Sequence, residues 1–138
     1  MKYRHLSKAK TCNEKWVSGF LHCKKNKWYI SNKAGAPFAF EVRPDTICQC
    51  TGLKDKNGKL IWENDIVKDL FSDACAQIKY GSYQSCFDST KTEHVGFYVD
   101  WSGKCTKRYR KDLGYWINMV NAEVIGNIFD NPELIKEI

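Results

Sequence analysis

The sequence predicts a mainly β protein with minor α content: a small barrel-like or strongly bent antiparallel sheet with a short C-terminal helix. Three observations carry this expectation. Short stretches of alternating apolar and polar residues recur along the whole chain. Asn, Gly and Pro-Asp steps separate them at close intervals, as turns between short strands require. Five Trp, seven Tyr and seven Phe, 14% of the chain, supply the large rings that cover neighbouring strands in a sheet.

In chain order, Tyr3 to Ser7 is read as a first short strand. Trp16 to His22 alternates, with Trp16, Ser18, Phe20 and His22 on one face, and after a turn at Cys23 to Asn26 the chain returns along Trp28 to Ser31. Phe38 to Val42 groups Phe38, Phe40 and Val42 together; Pro44-Asp45 turns the chain into a strand from Thr46 to Thr51. The run Thr51 to Val67 then reads as strand, hairpin, strand, turn and strand. Asn57-Gly58 is the positive-φ pair of a two-residue type I′ hairpin. Asn64 occupies a second, left-handed corner within Glu63-Asn64-Asp65. Asp65 to Leu70 and Ala76 to Tyr80 are further strands, and the polar stretch Gly81 to Glu93 is expected to be a long loop. His94 to Trp101 carries the clearest alternation, with Val95, Phe97, Val99 and Trp101 on one side. Ser102-Gly103 is a turn, Lys107 to Leu113 is irregular or a single helical turn, and Ala122 to Ile128 is the last strand. Gly126-Asn127 marks a bulge or turn there. Asn131-Pro132-Glu133 has the residues of a helix start: cap, first-turn proline, first-turn acid. With so many short strands, full closure would remove the sheet edges. No linker or repeat divides the 138 residues, and a single domain over 1–138 is expected.

The net charge of +6 is unevenly placed: residues 1–33 hold nine bases and one acid, whereas the remainder holds 13 bases and 15 acids. A basic quarter on a near-neutral body fits either a solubilising lysine face or contact with an acidic partner. Two segments mix bases with rings. One is Lys24, Lys25, Lys27 with Trp28 and Tyr29; the other is Lys104, Lys107, Arg108, Arg110 and Lys111 with Trp101 and Tyr109. Cations that follow phosphates beside rings that stack on bases suit single-stranded nucleic acid, and small β-barrels often host them. The bland alternative is that the rings pack inward and the cations merely edge the turns.

Seven cysteines are present without a C-x-x-C pair, and Cys48-x-Cys50 is expected to divide its thiols between two faces. No zinc site is read from this spacing. The thiols are expected to be reduced and mostly buried, in a cytoplasmic protein without a secretory signal and without an apolar run approaching ~18 residues. No phosphate loop, dinucleotide fingerprint, nucleophile elbow or zinc-protease motif occurs. Asp55, Glu63 and Asp65 are the carboxylates nearest to a metal set, but hairpin geometry spreads them. No catalytic residue, metal or cofactor is therefore assigned.

Thr51-Gly52-Leu53-Lys54-Asp55-Lys56-Asn57-Gly58-Lys59, followed by Ile61-Trp62-Glu63-Asn64-Asp65-Ile66-Val67, resembles the central signature of YopX-like phage and prophage proteins. Glu123 to Leu134 resembles that family's C-terminal signature and Trp16 to Leu21 its N-terminal one. Asn64 stands where the family usually has Gly, and Cys50 where it usually has an aromatic residue. The resemblance implies a phage or prophage origin, a bacterial cytoplasm, homo-oligomers and no active residue. The function expected from these readings is a non-enzymatic accessory protein that binds itself and a host or phage protein, with no membrane role. A nucleic-acid-binding small barrel is the alternative.

Overall fold

The computed structural model describes residues 6–31, 39–68, 75–84, 93–100, 110–112 and 122–135. Among the described residues there are eleven strands: β1 Ser7–Lys10, β2 Trp16–Lys24, β3 Lys27–Ser31, β4 Ala39–Val42, β5 Cys48–Lys54, β6 Leu60–Trp62, β7 Asp65–Lys68, β8 Cys75–Gln84, β9 Glu93–Asp100, β10 Arg110–Asp112 and β11 Glu123–Asn127. They form two antiparallel sheets, in the orders β4-β3-β2-β1-β5-β6 and β10-β9-β8-β7-β11. The chain divides into two compact units, Met1–Gly52 and Leu53–Ile138, with the boundary inside β5.

In the first unit, β1 and β2 form a hairpin across Thr11–Lys15, with the Thr11 N–H donating to the Lys15 carbonyl and the Glu14 N–H to the Thr11 carbonyl. Ala9, Ile30 and Val42 are buried together, and Val17, Leu21, Trp28 and Ile47 pack against them. The chain enters β5 through a 3₁₀ turn at Pro44–Thr46 rather than through a strand beginning at Thr46. Thr46 is buried there because its Oγ1 accepts the Lys10 N–H at 2.8 Å and donates to the Arg43 carbonyl. Cys48 and Cys50 are both buried in β5, against the expected split, because residues two apart on a strand share a face. Cys12 and Cys23 are exposed.

In the second unit, Ile61, Val67, Ala76, Ile78, Phe97, Val99, Ala122 and Val124 form the core, with Leu53 packed against it. Full burial of each large aliphatic side chain among them contributes about 1.5–3 kcal/mol. The base of β9 is buried on both sides: Tyr98 and Asp100 lie opposite Phe97 and Val99, and Asp100 is paired with Lys79 Nζ at 3.0 Å.

Several expectations change. Neither sheet closes into a barrel: both are open, and their outermost strands (β4, β6, β10 and β11) span only three to five residues. Short edges limit edge-to-edge pairing without closure. The Asn57-Gly58 corner is a three-residue hairpin, not a type I′ pair. Gly58 (φ 81) has positive φ and Asn57 does not, and the Gly58 N–H closes on the Asp55 carbonyl at 3.0 Å. Such a turn followed by a left-handed glycine is the usual three-residue alternative. The type I′ geometry occurs instead at Lys25-Asn26, with φ of 51 and 64. Gly81–Gln84 and Glu93 are strand, not loop; Arg110–Asp112 is a strand paired with Tyr98–Asp100, not a helical turn. The C-terminal helix is a single 3₁₀ turn, Pro132–Leu134. Asn131 makes no cap there, because its side chain turns back to accept the Asn127 N–H at 3.3 Å. The Ser102-Gly103 turn and Trp101 lie outside the described residues. Among the described residues, no helix is long and apolar enough to cross a membrane.

Candidate functional site

Most residues of the central and C-terminal signatures lie in the second unit, where the carboxylates of Asp55 and Asp65 accept backbone amides. Asp55 is buried at 7% exposure at the end of the β5–β6 hairpin. Its Oδ1 accepts the N–H groups of Asn57 and Lys59, both at 2.9 Å, and its Oδ2 accepts the N–H of Val124 in β11, also at 2.9 Å. Burial pushes the carboxyl pKa up. The N–H bonds from Val124, Lys59 and Asn57, with the Lys59 charge, outweigh it and hold the group below the ordinary aspartate value. One side chain thus fixes the turn and fastens the hairpin to the last strand.

Asn64 does comparable work at the next corner. At φ 71 it takes the left-handed conformation expected of it, its N–H donates to the Ile78 carbonyl, and its carbonyl accepts the Ile128 N–H. Its Oδ1 also accepts from Gln77 Nε2 at 3.0 Å. Asp65 Oδ2 accepts the Trp62 N–H at 2.8 Å, closing the same corner. In β11 the pairing with β7 shifts register between Val124 and Gly126, so the bulge falls at Ile125, one residue before the expected Gly126-Asn127 step. Asn127 Oδ1 accepts the N–H groups of Phe129 and Asp130 beyond it. A Cβ at Gly126 would lie 2.4 Å from Asn131 Oδ1, so the Asn131 side chain would have to shift to admit one.

A family model described as YopX protein matches residues 1–136. The chain belongs to the YopX family. No curated protein matches it. In this YopX chain Asp55, one of the three carboxylates weighed for a metal, has both oxygens directed to backbone amides. Among the described residues no cluster of three or more His, Cys, Asp or Glu is placed to hold a metal.

Lys24, Lys25 and Lys27 are exposed at the tip of the β2–β3 hairpin. Trp28 is half-buried and packs on the core of the first unit. Tyr29 points to the opposite face and stacks on His22, with ring centroids 5.6 Å apart and planes 19° apart. Lys104, Lys107 and Arg108 lie outside the described residues. Arg110 and Lys111 are in β10, where only the backbone is described. Sequence reasoning left His22 out of this group. The missing signal was loop length: a two-residue loop at Lys25-Asn26 pairs 24 with 27 and therefore 22 with 29.

A third feature is the far end of the β8–β9 ribbon. The pairing runs from Gln77↔Asp100 to Gln84↔Glu93, whereas β7 pairs with β8 at Cys75–Gln77 and β10 with β9 at Tyr98–Asp100. Among the described residues the ribbon therefore continues past its neighbours in the sheet. Along one face, buried Ile78 and Val99 give way to Tyr80, 54% exposed and edge-on to Phe97, and to Val95, 71% exposed.

Proposed function

We propose that the protein is a non-enzymatic phage or prophage accessory protein that works by binding proteins, its own copies first, as a homo-oligomer. The observation that supports this reading most is the outer apolar face of the β8–β9 ribbon, where Tyr80 and Val95 extend a core face into solvent. A two-stranded ribbon alone is marginal in water, and it gains stability when its apolar face is covered. A second copy offers the same strip of Tyr80 and Val95, and a two-fold axis brings the two strips together in one self-complementary interface. A further host or phage protein would then be held by the assembled form. The enzymatic alternative has less support, since the signature carboxylate is committed to backbone amides.

Sedimentation equilibrium over a range of concentrations tests the reading. The wild type is expected to sediment as an oligomer, and Tyr80→Glu/Val95→Glu as a monomer with an unchanged far-ultraviolet spectrum. A monomeric wild type at all concentrations, or an equally associated variant, would contradict it.

A further inference from the structure

The tip of the β2–β3 hairpin breaks two local rules at once. Lys25 and Asn26 fill a two-residue loop with both residues left-handed, at φ 51 and 64. That turn favours Asn-Gly or Asp-Gly; a lysine in the first place has no short polar side chain to make the left-handed backbone tolerable. Next to the turn, Lys24 and Lys27 are direct cross-strand partners, so two positive charges face each other, an arrangement that destabilises a hairpin. The third positive charge, Lys25, sits between them. All three lysines are exposed, and none makes an ion pair among the described residues. Packing does not call for them, and the hairpin would fold better without them. Departures of this kind from local consistency mark positions kept for something other than folding.

One step inward, His22 and Tyr29 are cross-strand partners with stacked rings. Strand alternation puts them on the same face as Lys24 and Lys27, while Cys23 and Trp28 take the other. The face therefore carries cations at its end and a parallel pair of rings behind them. Glu41 is the acid nearby: it is exposed on β4, paired across from Tyr29, and disfavours a phosphate on that side. The other acids described in the first unit, Glu14 and Asp45, are taken up by Arg43, and Glu14 also by Lys10.

We propose that this hairpin tip is a contact for single-stranded nucleic acid, in which Lys24, Lys25 and Lys27 neutralise successive phosphates and the His22–Tyr29 pair stacks on an unpaired base. Lysines alone would hold any polyanion. The rings beside them select a ligand whose flat groups are free to stack, which excludes a fully paired duplex and gives an acidic peptide no advantage. Recognition of this kind tolerates sequence, since every base has a stacking face.

Fluorescence anisotropy of the full chain with a labelled oligothymidine tests this. Three neutralised phosphates give a slope of log affinity on log salt of about −2, and affinity falls roughly twentyfold between 50 and 200 mM salt. Lys24→Ala/Lys25→Ala/Lys27→Ala is expected to make the slope shallower by about 2 while the far-ultraviolet spectrum is kept. Tyr29→Leu retains an apolar side chain and the salt slope but is expected to weaken binding roughly fivefold or more. Lys15→Ala, which removes an exposed charge at another turn of the same unit, is expected to leave affinity within about twofold. The proposal is overturned by absence of binding at low salt, or by a triple variant that keeps the wild-type slope. Polyglutamate bound as tightly as the oligonucleotide, with no response to Tyr29→Leu, overturns it in favour of an acidic protein surface. A duplex bound as tightly as the single strand also overturns it.

Discussion

Removing the Asp55 carboxylate is expected to loosen the hairpin and the last strand together. The Val124 N–H that it accepts is buried, and a buried amide left without an acceptor costs about 1–3 kcal/mol. The Asn57 and Lys59 amides belong to an exposed turn and regain water, so each of those bonds contributes about 1 kcal/mol. Asp55→Ala is therefore expected to cost about 3–5 kcal/mol. Asp55→Asn retains Oδ1 for the turn but sets an amide NH₂ against the Val124 N–H, at a cost of about 2–3 kcal/mol. With a urea dependence of about 2 kcal/mol per M, Asp55→Ala lowers the unfolding midpoint by roughly 1.5–2.5 M. Hydrogen exchange at the Val124 amide reports the same loss locally.

The sign of the pH dependence follows from the lowered pKa. The stabilisation by Asp55 is fully present above its unfolded value, near 4, and is lost as pH falls through the folded value. The wild type should therefore lose, on acidification below about pH 4, a component of stability that Asp55→Asn never had. An Asp55→Ala variant within ~0.5 kcal/mol of wild type, well inside the expected loss, would refute the reasoning. Stability–pH curves of wild type and Asp55→Asn that run parallel below pH 4 would do so as well.

Three further outcomes are expected. Gly126→Ala drives a Cβ into Asn131 and should cost about 1–2 kcal/mol in chemical denaturation, with most of the loss recovered in Gly126→Ala/Asn131→Gly. Lys25→Asn/Asn26→Gly installs the preferred turn pair and should raise stability by about 1 kcal/mol while weakening oligonucleotide binding; a variant that is no more stable would remove the argument from local conflict. Lys79→Met leaves the buried Asp100 carboxylate without its ammonium partner, and because Lys79 is one-third exposed the loss should be about 1–2 kcal/mol by urea titration.

Where side-chain period and backbone chemistry point the same way, the fold was legible. Phe97 and Val99 in β9, the left-handed Asn64 and the bulge before Asn127 all follow from residue type and spacing. Asn57-Gly58 has the higher preference for the type I′ hairpin. Asp55 instead accepts the Asn57 and Lys59 amides and favours a three-residue turn, while the β2–β3 register forces Lys25-Asn26 into the tighter one. Gly81–Gln84 reads as loop because its polar and glycine content belongs to a ribbon running beyond the core, where alternation no longer records burial. The helix signal at Asn131 failed through competition: its amide group satisfies the Asn127 backbone, and the next residues complete a single 3₁₀ turn. At the candidate interface, composition located Lys24, Lys25 and Lys27, but which ring faced outward depended on a register that composition does not carry.

Amide hydrogen exchange along β8 and β9, followed as a function of protein concentration, tests the central claim most directly. If the ribbon face around Tyr80 and Val95 is where copies meet, protection of Tyr80–Gln84 and Glu93–Phe97 should rise with concentration, while that of Ile66 and Val67 in β7 stays constant. Exchange in the outer ribbon that is fast and independent of concentration, in a protein that otherwise remains folded, would contradict the account.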